Sequence, residues 1–150
     1  MTTLKQGDKA PAFSGMDQDG KTHTLSDYAG KKLVVFFYPK ASTPGCTAEA
    51  CDLRDNFERF QANNYALLGV SPDSAGRQTK FKEKYNLPFP LLADESKSVI
   101  EAFGVWGPKK FMGKEYDGIY RTTFIINEGG IIDEVIEKVK TKEHAAQILK

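Results

Sequence analysis

Three stretches of the chain are dominated by apolar, β-branched and aromatic residues, and each is long enough to form a strand. They cover residues 33–38, 65–72 and 119–127, and the first reads LVVFFY. Nearly continuous apolar runs of this kind are typical of strands that are covered on both faces. Pro39 ends the first run, and a Ser-Pro-Asp turn closes the second. The pattern therefore predicts a buried β-sheet.

Apolar residues recur at helical spacing between and after these strands. In the longest such segment, Leu53, Phe57 and Phe60 share one face of a predicted helix. The predicted helices cover residues 47–63, 74–85, 96–103 and 141–150.

Turn signals add two hairpins to this pattern. Asp19-Gly20 lies between short runs at residues 12–14 and 21–25, which predicts a small antiparallel unit near the N-terminus. The sequence Glu-Gly-Gly after the third strand predicts a second hairpin, whose returning strand covers residues 131–139. The glycine-rich segment 104–118 is predicted to be a loop.

The order of these elements indicates an α/β fold. Strand, helix, strand and helix are followed by a hairpin and a last helix, which is the order of a thioredoxin-like fold. We expect a central mixed β-sheet flanked by helices, with an N-terminal β-hairpin extension. At 150 residues, the chain is predicted to form one domain, 1–150.

Composition and charge exclude several classes of partner. The 21 basic and 20 acidic residues give a net charge of +1, so no electrostatic footprint for nucleic acid or an anionic membrane is expected. No run approaches the roughly 18 apolar residues of a membrane span. The first ten residues lack the apolar centre of a signal peptide, which predicts a cytoplasmic protein. Two cysteines are too few for a disulfide framework and are expected to be reduced at rest.

Cys46 lies where the first strand has ended and a helix begins. The unpaired backbone N–H groups and the dipole of a helix N-terminus favour a thiolate over a thiol. Thr43 offers a hydroxyl that can donate to this thiolate or to a bound oxygen. Pro39 and Pro44 are expected to stiffen the loop and limit water near the sulfur. The alternative is that Cys46 is a small buried apolar residue of the core.

Cys51 follows five positions later, on the same predicted helix. Five residues correspond to about 500° of rotation and a rise of about 7.5 Å, which exceeds the Cα separation of a disulfide. Either the two cysteines never pair, or the first helical turns unwind when they do; core packing is an equally good explanation of Cys51.

A zinc site needs four ligands, and His23 and His144 lack the spacing that would complete one. The C-x-x-C motif of dithiol exchange enzymes is absent.

The segment YPKASTPGCTAEACDLRD resembles the active-site segment of peroxiredoxins, in particular the bacterioferritin comigratory protein or PrxQ branch. The P-x-x-x-T/S-x-x-C signature is present as Pro39, Thr43 and Cys46, and the further cysteine at Cys51 marks the branch. The resemblance extends over nearly the whole chain, through GDKAPAFS, LLGVSPDS, YNLPFPLLAD, FGVWG and GIYRTTFIIN. The chain departs from the family at Ala41-Ser42, where other members often carry an acidic or amide pair.

This resemblance implies a thioredoxin fold and the reduction of hydrogen peroxide and alkyl or other organic hydroperoxides without metal, haem or flavin. It implies that Cys46 is the peroxidatic cysteine and Cys51 the resolving cysteine, which form an intramolecular disulfide. Arg121 would complete the site together with Pro39 and Thr43. Thioredoxin or a similar dithiol is the implied reductant, and a monomer is the implied state.

Two charged residues fit this site on physical grounds as well. Arg121 begins a strand that is otherwise uncharged, and a cation near Cys46 would stabilise its thiolate and hold peroxide oxygens through directed N–H donors. Glu49 lies one helical turn beyond Cys46 and is expected to orient Arg121. The alternatives are a solvated edge arginine and an exposed glutamate.

Three other functions use the same residues differently. A redox sensor would pass the oxidation on to a partner, and a general thiol–disulfide oxidoreductase would lack peroxide specificity. A binding module that merely keeps the fold would have ordinary thiol reactivity.

Overall fold

The computed structural model describes residues 2–150, and within that range it consists of nine strands, five α-helices and one 3-10 helix. The strands are β1 (Ser14–Met16), β2 (Thr22–Thr24), β3 (Lys32–Phe37), β4 (Tyr65–Ser71), β5 (Leu91–Ala93), β6 (Trp106–Phe111), β7 (Lys114–Ile119), β8 (Thr122–Ile126) and β9 (Ile132–Ile136). The helices are α1 (Pro44–Asp55), α2 (Phe57–Ala62), α3 (Ala75–Tyr85), α4 (Ser98–Ala102) and α5 (His144–Ile148), and the 3-10 helix is Leu25–Tyr28.

Five strands form the central sheet, in the order β5-β4-β3-β8-β9. β3 and β4 pair in parallel, as do β4 and β5, whereas β8 is antiparallel to both β3 and β9. The predicted mixed sheet is therefore confirmed, and so are the hairpin formed by β1 and β2 and the hairpin formed by β8 and β9. The first strand of the N-terminal hairpin starts two residues later than predicted.

Two hydrophobic clusters pack on opposite faces of this sheet, which explains why its central strands are continuously apolar. Along β3, Val34 and Phe36 contribute to the cluster that holds α1, α2, α3 and α5 against one face. Val35 and Phe37 contribute to the cluster under α4 and the N-terminal segment. Packing beside β3 is close, because a Cβ atom on Gly69 would lie only 2.8 Å from Phe36 Cζ.

The predicted helix over residues 47–63 is wrong in two respects. It begins earlier, at Pro44, because proline fits the first turn of a helix and Thr43 takes the extended backbone conformation of an N-cap residue. It is also divided into α1 and α2 at Asn56, whose side-chain amide donates to the backbone carbonyl of Asp52 at 2.9 Å. Asparagine side chains compete in this way with the hydrogen bonds of a continuing helix.

The predicted loop over residues 104–118 is also wrong. It is largely a hairpin, in which β6 pairs with β7 in antiparallel register. Met112 and Gly113 form its turn, and both have positive φ angles, of 52° and 80°. Positive φ at both central residues is what a tight two-residue hairpin turn requires. The helices α4 and α5 are shorter than the predicted segments 96–103 and 141–150.

Candidate active site

Cys46 occupies the first turn of α1, directly beyond the carboxyl end of β3. The helix begins there because Pro44 and Gly45 follow a buried strand that cannot continue past Pro39. The cysteine is only 1% exposed and packs in the cluster on the α1 face of the sheet. The expected position at a strand-to-helix junction is therefore confirmed.

The loop between β3 and α1 is held by a buried carboxylate of the neighbouring strand connection. Asp73 Oδ2 accepts a hydrogen bond from the Ala41 backbone N–H at 2.7 Å and another from the Ser71 hydroxyl at 2.7 Å. Pro39 lies half-buried in the bend after β3. The Thr43 hydroxyl donates to the Lys40 carbonyl at 2.7 Å, rather than to Cys46. The sequence predicted the Ser-Pro-Asp turn that contains Asp73, but it did not indicate that Asp73 supports the site.

Arg121 connects Cys46 with Glu49. It immediately precedes β8, and its Nη2 donates to Cys46 Sγ at 3.4 Å while its Nη1 donates to Glu49 Oε1 at 2.7 Å. Burial opposes the charge of Arg121, but Cys46 and Glu49 together raise its pKa. A Cβ atom on Gly45 would lie 3.2 Å from Nη2, so glycine leaves room for this approach.

Glu49 is fully buried on the inner side of α1, so the exposed position considered above is wrong. The contact expected between Glu49 and Arg121 is present. The side chain of Arg121 is 22% exposed, so a solvated edge arginine does not describe it. A guanidinium held in this way is fixed in orientation and charge next to the sulfur, which is how an arginine stabilises developing negative charge.

Cys51 lies on the same uninterrupted helix as Cys46, and both are free thiols. Because α1 is helical from Pro44 to Asp55, the helical separation of about 7.5 Å applies and the two sulfurs are not placed for a disulfide. Their pairing therefore requires the first turns of α1 to open. The same helix is tied to α5 one residue further on, where the Ala145 backbone N–H donates to Asp52 Oδ2 at 2.8 Å.

Among residues 2–150, no helix is both long and apolar enough to cross a bilayer. The same residues contain no group of three or more histidine, cysteine or acidic side chains arranged to hold a metal ion.

Comparison with known proteins decides the family. The sequence profile of the AhpC/TSA family matches residues 6–135. The chain belongs to this family. Peroxiredoxin Bcp of Bacillus subtilis is 50% identical, in an alignment that covers 98% of this chain and 94% of that protein. Peroxiredoxin Bcp of Escherichia coli K12 is 48% identical over 99% of this chain and 96% of that protein.

Solved structures agree with this assignment. A PrxQ variant of Xylella fastidiosa has a TM-score of 0.92 and 32% identity, and the match covers 99% of this chain and 95% of that one. The bacterioferritin comigratory protein of Xanthomonas campestris, described with alkyl peroxide reduction activity, has a TM-score of 0.88 and 35% identity over 93% of this chain and 88% of that one. The present chain is thus a peroxiredoxin with a thioredoxin-like fold, and its activity is that of a thiol-dependent peroxidase.

In this peroxiredoxin, Glu49→Gln is expected to remove a pH dependence of stability. Burial raises the pKa of Glu49 to about 7, although Arg121 acts in the opposite direction. A raised carboxyl pKa stabilises the fold fully below the unfolded-state pKa, and this contribution is lost as pH rises through the folded-state value. The wild type is therefore expected to lose about 3 kcal/mol of unfolding free energy, relative to the variant, as pH rises from the ordinary glutamate pKa of 4.5 to above 7.

Chemical denaturation at a series of pH values and constant ionic strength measures this difference. Glu58→Gln, on the exposed side of α2, is the matched control and should follow the wild-type pH profile. A parallel pH profile for Glu49→Gln and the wild type would contradict the burial of an ionisable carboxyl at this position.

The sequence did not reveal three polar residues that support the site. Thr123 and His144 are both fully buried and lie behind Glu49, and Asp73 holds the loop before α1. His144 was considered only as a zinc ligand. A histidine at the start of an amphipathic segment gives no local signal of burial, because the residues that bury its Nε2 side come from α1 and β8, which are distant in sequence.

Proposed function

We propose that Cys46 is the peroxidatic cysteine and Cys51 the resolving cysteine of a peroxidase that reduces hydrogen peroxide and alkyl hydroperoxides. The observation that carries these roles is the bridge by Arg121, whose two Nη atoms reach Cys46 Sγ at 3.4 Å and Glu49 Oε1 at 2.7 Å. In this arrangement a cation with directed N–H donors stands beside one of the two thiols.

In the first step, the Cys46 thiolate attacks the terminal oxygen of the peroxide and the O–O bond breaks. The sulfur becomes a sulfenic acid, and the departing hydroxide or alkoxide takes a proton from solvent to leave as water or alcohol. Arg121 stabilises the negative charge as it moves from sulfur to the departing oxygen. Pro39 and Thr43 shape the loop at which the peroxide arrives, and the Thr43 hydroxyl oxygen can accept a hydrogen bond while its hydrogen is donated to Lys40.

In the second step, the first turns of α1 open and the Cys51 thiolate attacks the Cys46 sulfenic sulfur. A disulfide forms and the sulfenic oxygen leaves as water after it is protonated. A dithiol of the thioredoxin type then reduces the disulfide by thiol–disulfide exchange, through a mixed disulfide. We propose that the enzyme works in this cycle as a monomeric single domain in the cytoplasm, without metal, haem or flavin.

A rapid-mixing thiol count tests these roles. Reduced protein is mixed with one equivalent of hydrogen peroxide, quenched within a second, and its remaining free thiols are counted. The wild type is expected to lose both of its thiols, and Cys51→Ser the single thiol that remains. The Cys46→Ser variant should keep its remaining thiol, because Cys51 lacks a guanidinium contact in the structure of residues 2–150.

The two cysteine variants also distinguish the roles from each other in steady-state turnover with thioredoxin. Cys46→Ser is expected to be inactive, whereas Cys51→Ser should complete the first reduction and then recycle slowly. Equal loss of the first turnover in both variants would overturn this division of roles. Survival of both wild-type thiols for minutes would overturn the proposal that Cys46 is peroxidatic.

A further inference from the structure

One oxygen of the buried carboxyl group behind the proposed site has no hydrogen-bond partner among the described residues. Glu49 Oε1 accepts from Arg121, but Oε2 is buried and unpaired. A buried polar atom without a partner is costly, so such an atom in a folded protein requires an explanation. The nearest titratable group on the far side from Arg121 is His144, whose Nε2 lies 3.5 Å from Oε2 and which is itself fully buried.

The hydrogen positions on His144 follow from its neighbours. The side-chain amide of Gln147 is oriented by the backbone, because its Oε1 accepts from Lys140 N–H at 2.9 Å and its Nε2 donates to the Lys138 carbonyl at 3.0 Å. His144 Nδ1 lies 2.8 Å from the same Gln147 Oε1. Nδ1 must therefore carry a hydrogen, since two acceptors cannot bind each other. In a neutral ring, Nε2 is then a lone pair that faces Thr123 Oγ1 and Glu49 Oε2.

We propose that Glu49 Oε2 and His144 Nε2 share a single proton, and that His144 is in this way a positioning residue for the Arg121–Glu49 pair. If the proton is on the carboxyl group, Oε2 donates it to the lone pair of Nε2. If it is on the ring, Nε2 donates it to the carboxylate. Each arrangement gives Oε2 a partner that shares a hydrogen with it, whereas without the proton Oε2 faces the Nε2 lone pair at 3.5 Å. Thr123 Oγ1 lies closer to Nε2, at 2.7 Å; its hydroxyl donates to the lone pair when the carboxyl group is ionised and accepts from Nε2 when the ring is protonated.

The charges around the pair indicate on which side the proton resides. Burial raises the pKa of Glu49 to about 7. Burial also lowers the pKa of His144, as does Arg121, whereas Gln147 and Asp52 raise it. The proton accordingly resides on the carboxyl group below neutral pH, with the ring as its acceptor.

The groups that face the shared proton come from all three elements packed around it. They are Cys46 and Asp52 of α1, Arg121 and Thr123 at the start of β8, and Gln147 of α5.

The consequence for the reaction rests on the proposed role of Arg121. A carboxylate beside the guanidinium orients it but also places a negative charge near Cys46, which opposes the thiolate. A carboxyl group that keeps its proton still accepts from Arg121 through Oε1 and adds no such charge. His144 thus lets the site use a carboxyl group for orientation while the positive charge of Arg121 remains available to the sulfur and the peroxide.

Nitrogen NMR of the imidazole rings tests the shared proton directly, in reduced protein and without peroxide. The chain has only two histidines, His23 and His144, so His144→Gln assigns the signals. In the wild type, the His144 Nε2 resonance is expected to move through a step near the Glu49 pKa of about 7. In Glu49→Gln, whose amide can donate to Nε2 at every pH, this step should be absent. A constant His144 resonance in the wild type, or the same step in Glu49→Gln, would overturn the proposal.

A second measurement keeps the test decisive if Glu49→Gln does not fold. In His144→Gln, the amide can donate to Oε2 but cannot accept its proton as the ring does. The Glu49 carboxyl carbon resonance is therefore expected to titrate at lower pH than in the wild type. An unchanged titration in His144→Gln would mean that the ring has no share in the proton.

A double-mutant cycle separates this role from a purely structural one. Near neutral pH, His144→Gln is expected to react with hydrogen peroxide about threefold more slowly than the wild type, because a larger fraction of Glu49 is then charged beside the sulfur. The same substitution should have no effect in the Glu49→Gln background. Equal slowing in both backgrounds would overturn the positioning role. Failure of Cys46 to react at all would refute the proposed function, while the NMR titration would still decide the shared proton.

Discussion

Replacing Arg121 with glutamine is expected to slow the reaction of reduced protein with hydrogen peroxide by about a hundredfold to a thousandfold. Glutamine can still donate to Glu49, but it lacks the positive charge and the second donor that reaches Cys46 Sγ at 3.4 Å. The reaction would lose the group that stabilises charge both on the attacking sulfur and on the departing oxygen. Stopped-flow measurement of a single turnover gives the rate constant without interference from recycling.

Two further variants show whether this loss is specific. Arg59→Gln removes the same side chain from the exposed surface of α2 and should react like the wild type. Arg121→Lys keeps the charge but not the paired donors, and it should lie between the wild type and Arg121→Gln. A rate constant for Arg121→Gln within threefold of the wild type would remove Arg121 from the proposed mechanism.

Truncating Phe124 to alanine is expected to lower the free energy of unfolding by about 3–5 kcal/mol. Phe124 lies in β8 and is fully buried, with its ring centroid 4.9 Å from that of Phe103 and 5.8 Å from that of Phe37. Alanine would leave a cavity between the sheet and the layer that contains α4, where neighbouring rings on rigid elements cannot close in. Equilibrium unfolding in denaturant measures the loss.

Tyr116→Ala is the matched control for this aromatic truncation. Tyr116 lies on β7 and is 48% exposed, so its loss is expected to change the free energy of unfolding by no more than about 0.5 kcal/mol. A cost below about 1 kcal/mol for Phe124→Ala would contradict the placement of β8 in the middle of the core.

The central sheet could be predicted because each of its inner strands carries its own signal. β3 and β4 are covered on both faces, so burial forces nearly every position to be apolar and the pattern is visible without any knowledge of the partners. The β6–β7 hairpin, by contrast, could not be predicted from its own pattern of residues. Its exposed residues include several lysines, and its turn uses Met112 with a positive φ angle, which sequence patterns do not anticipate for methionine. The pairing of β6 with β7 is long-range information that the local pattern does not carry.

The break between α1 and α2 illustrates a second limit. The apolar spacing of Leu53, Phe57 and Phe60 is compatible with one long helix, and only the side chain of Asn56 interrupts it. Whether an asparagine donates to a backbone carbonyl or points into solvent depends on local competition between side-chain and backbone hydrogen bonds. Sequence periodicity does not contain that information.

The residues of the proposed site also differ in how far the sequence could predict them. Pro39, Thr43, Cys46 and Cys51 lie within one short segment, so a local motif was enough to show the resemblance to peroxiredoxins that implies their roles. The contact between Arg121 and Cys46 spans 75 positions, and it was expected from family resemblance and from an isolated charge at a strand start. The contact between Glu49 and His144 had no such support, because burial of both groups is decided by how α5 packs on α1.

The hydrogen bond between α5 and α1 also bears on the rate at which α1 can open. Cys51 can reach Cys46 only when α1 opens, so each contact that favours the closed helix lengthens the life of the sulfenic acid. The hydrogen bond from Ala145 N–H to Asp52 Oδ2 is such a contact, and it joins residues 93 positions apart. During that delay a second peroxide can drive the sulfur to sulfinic acid, which this cycle does not reverse. In the proposed cycle, α5 therefore slows the opening of α1 and lengthens the exposure of the Cys46 sulfenic acid to a second peroxide.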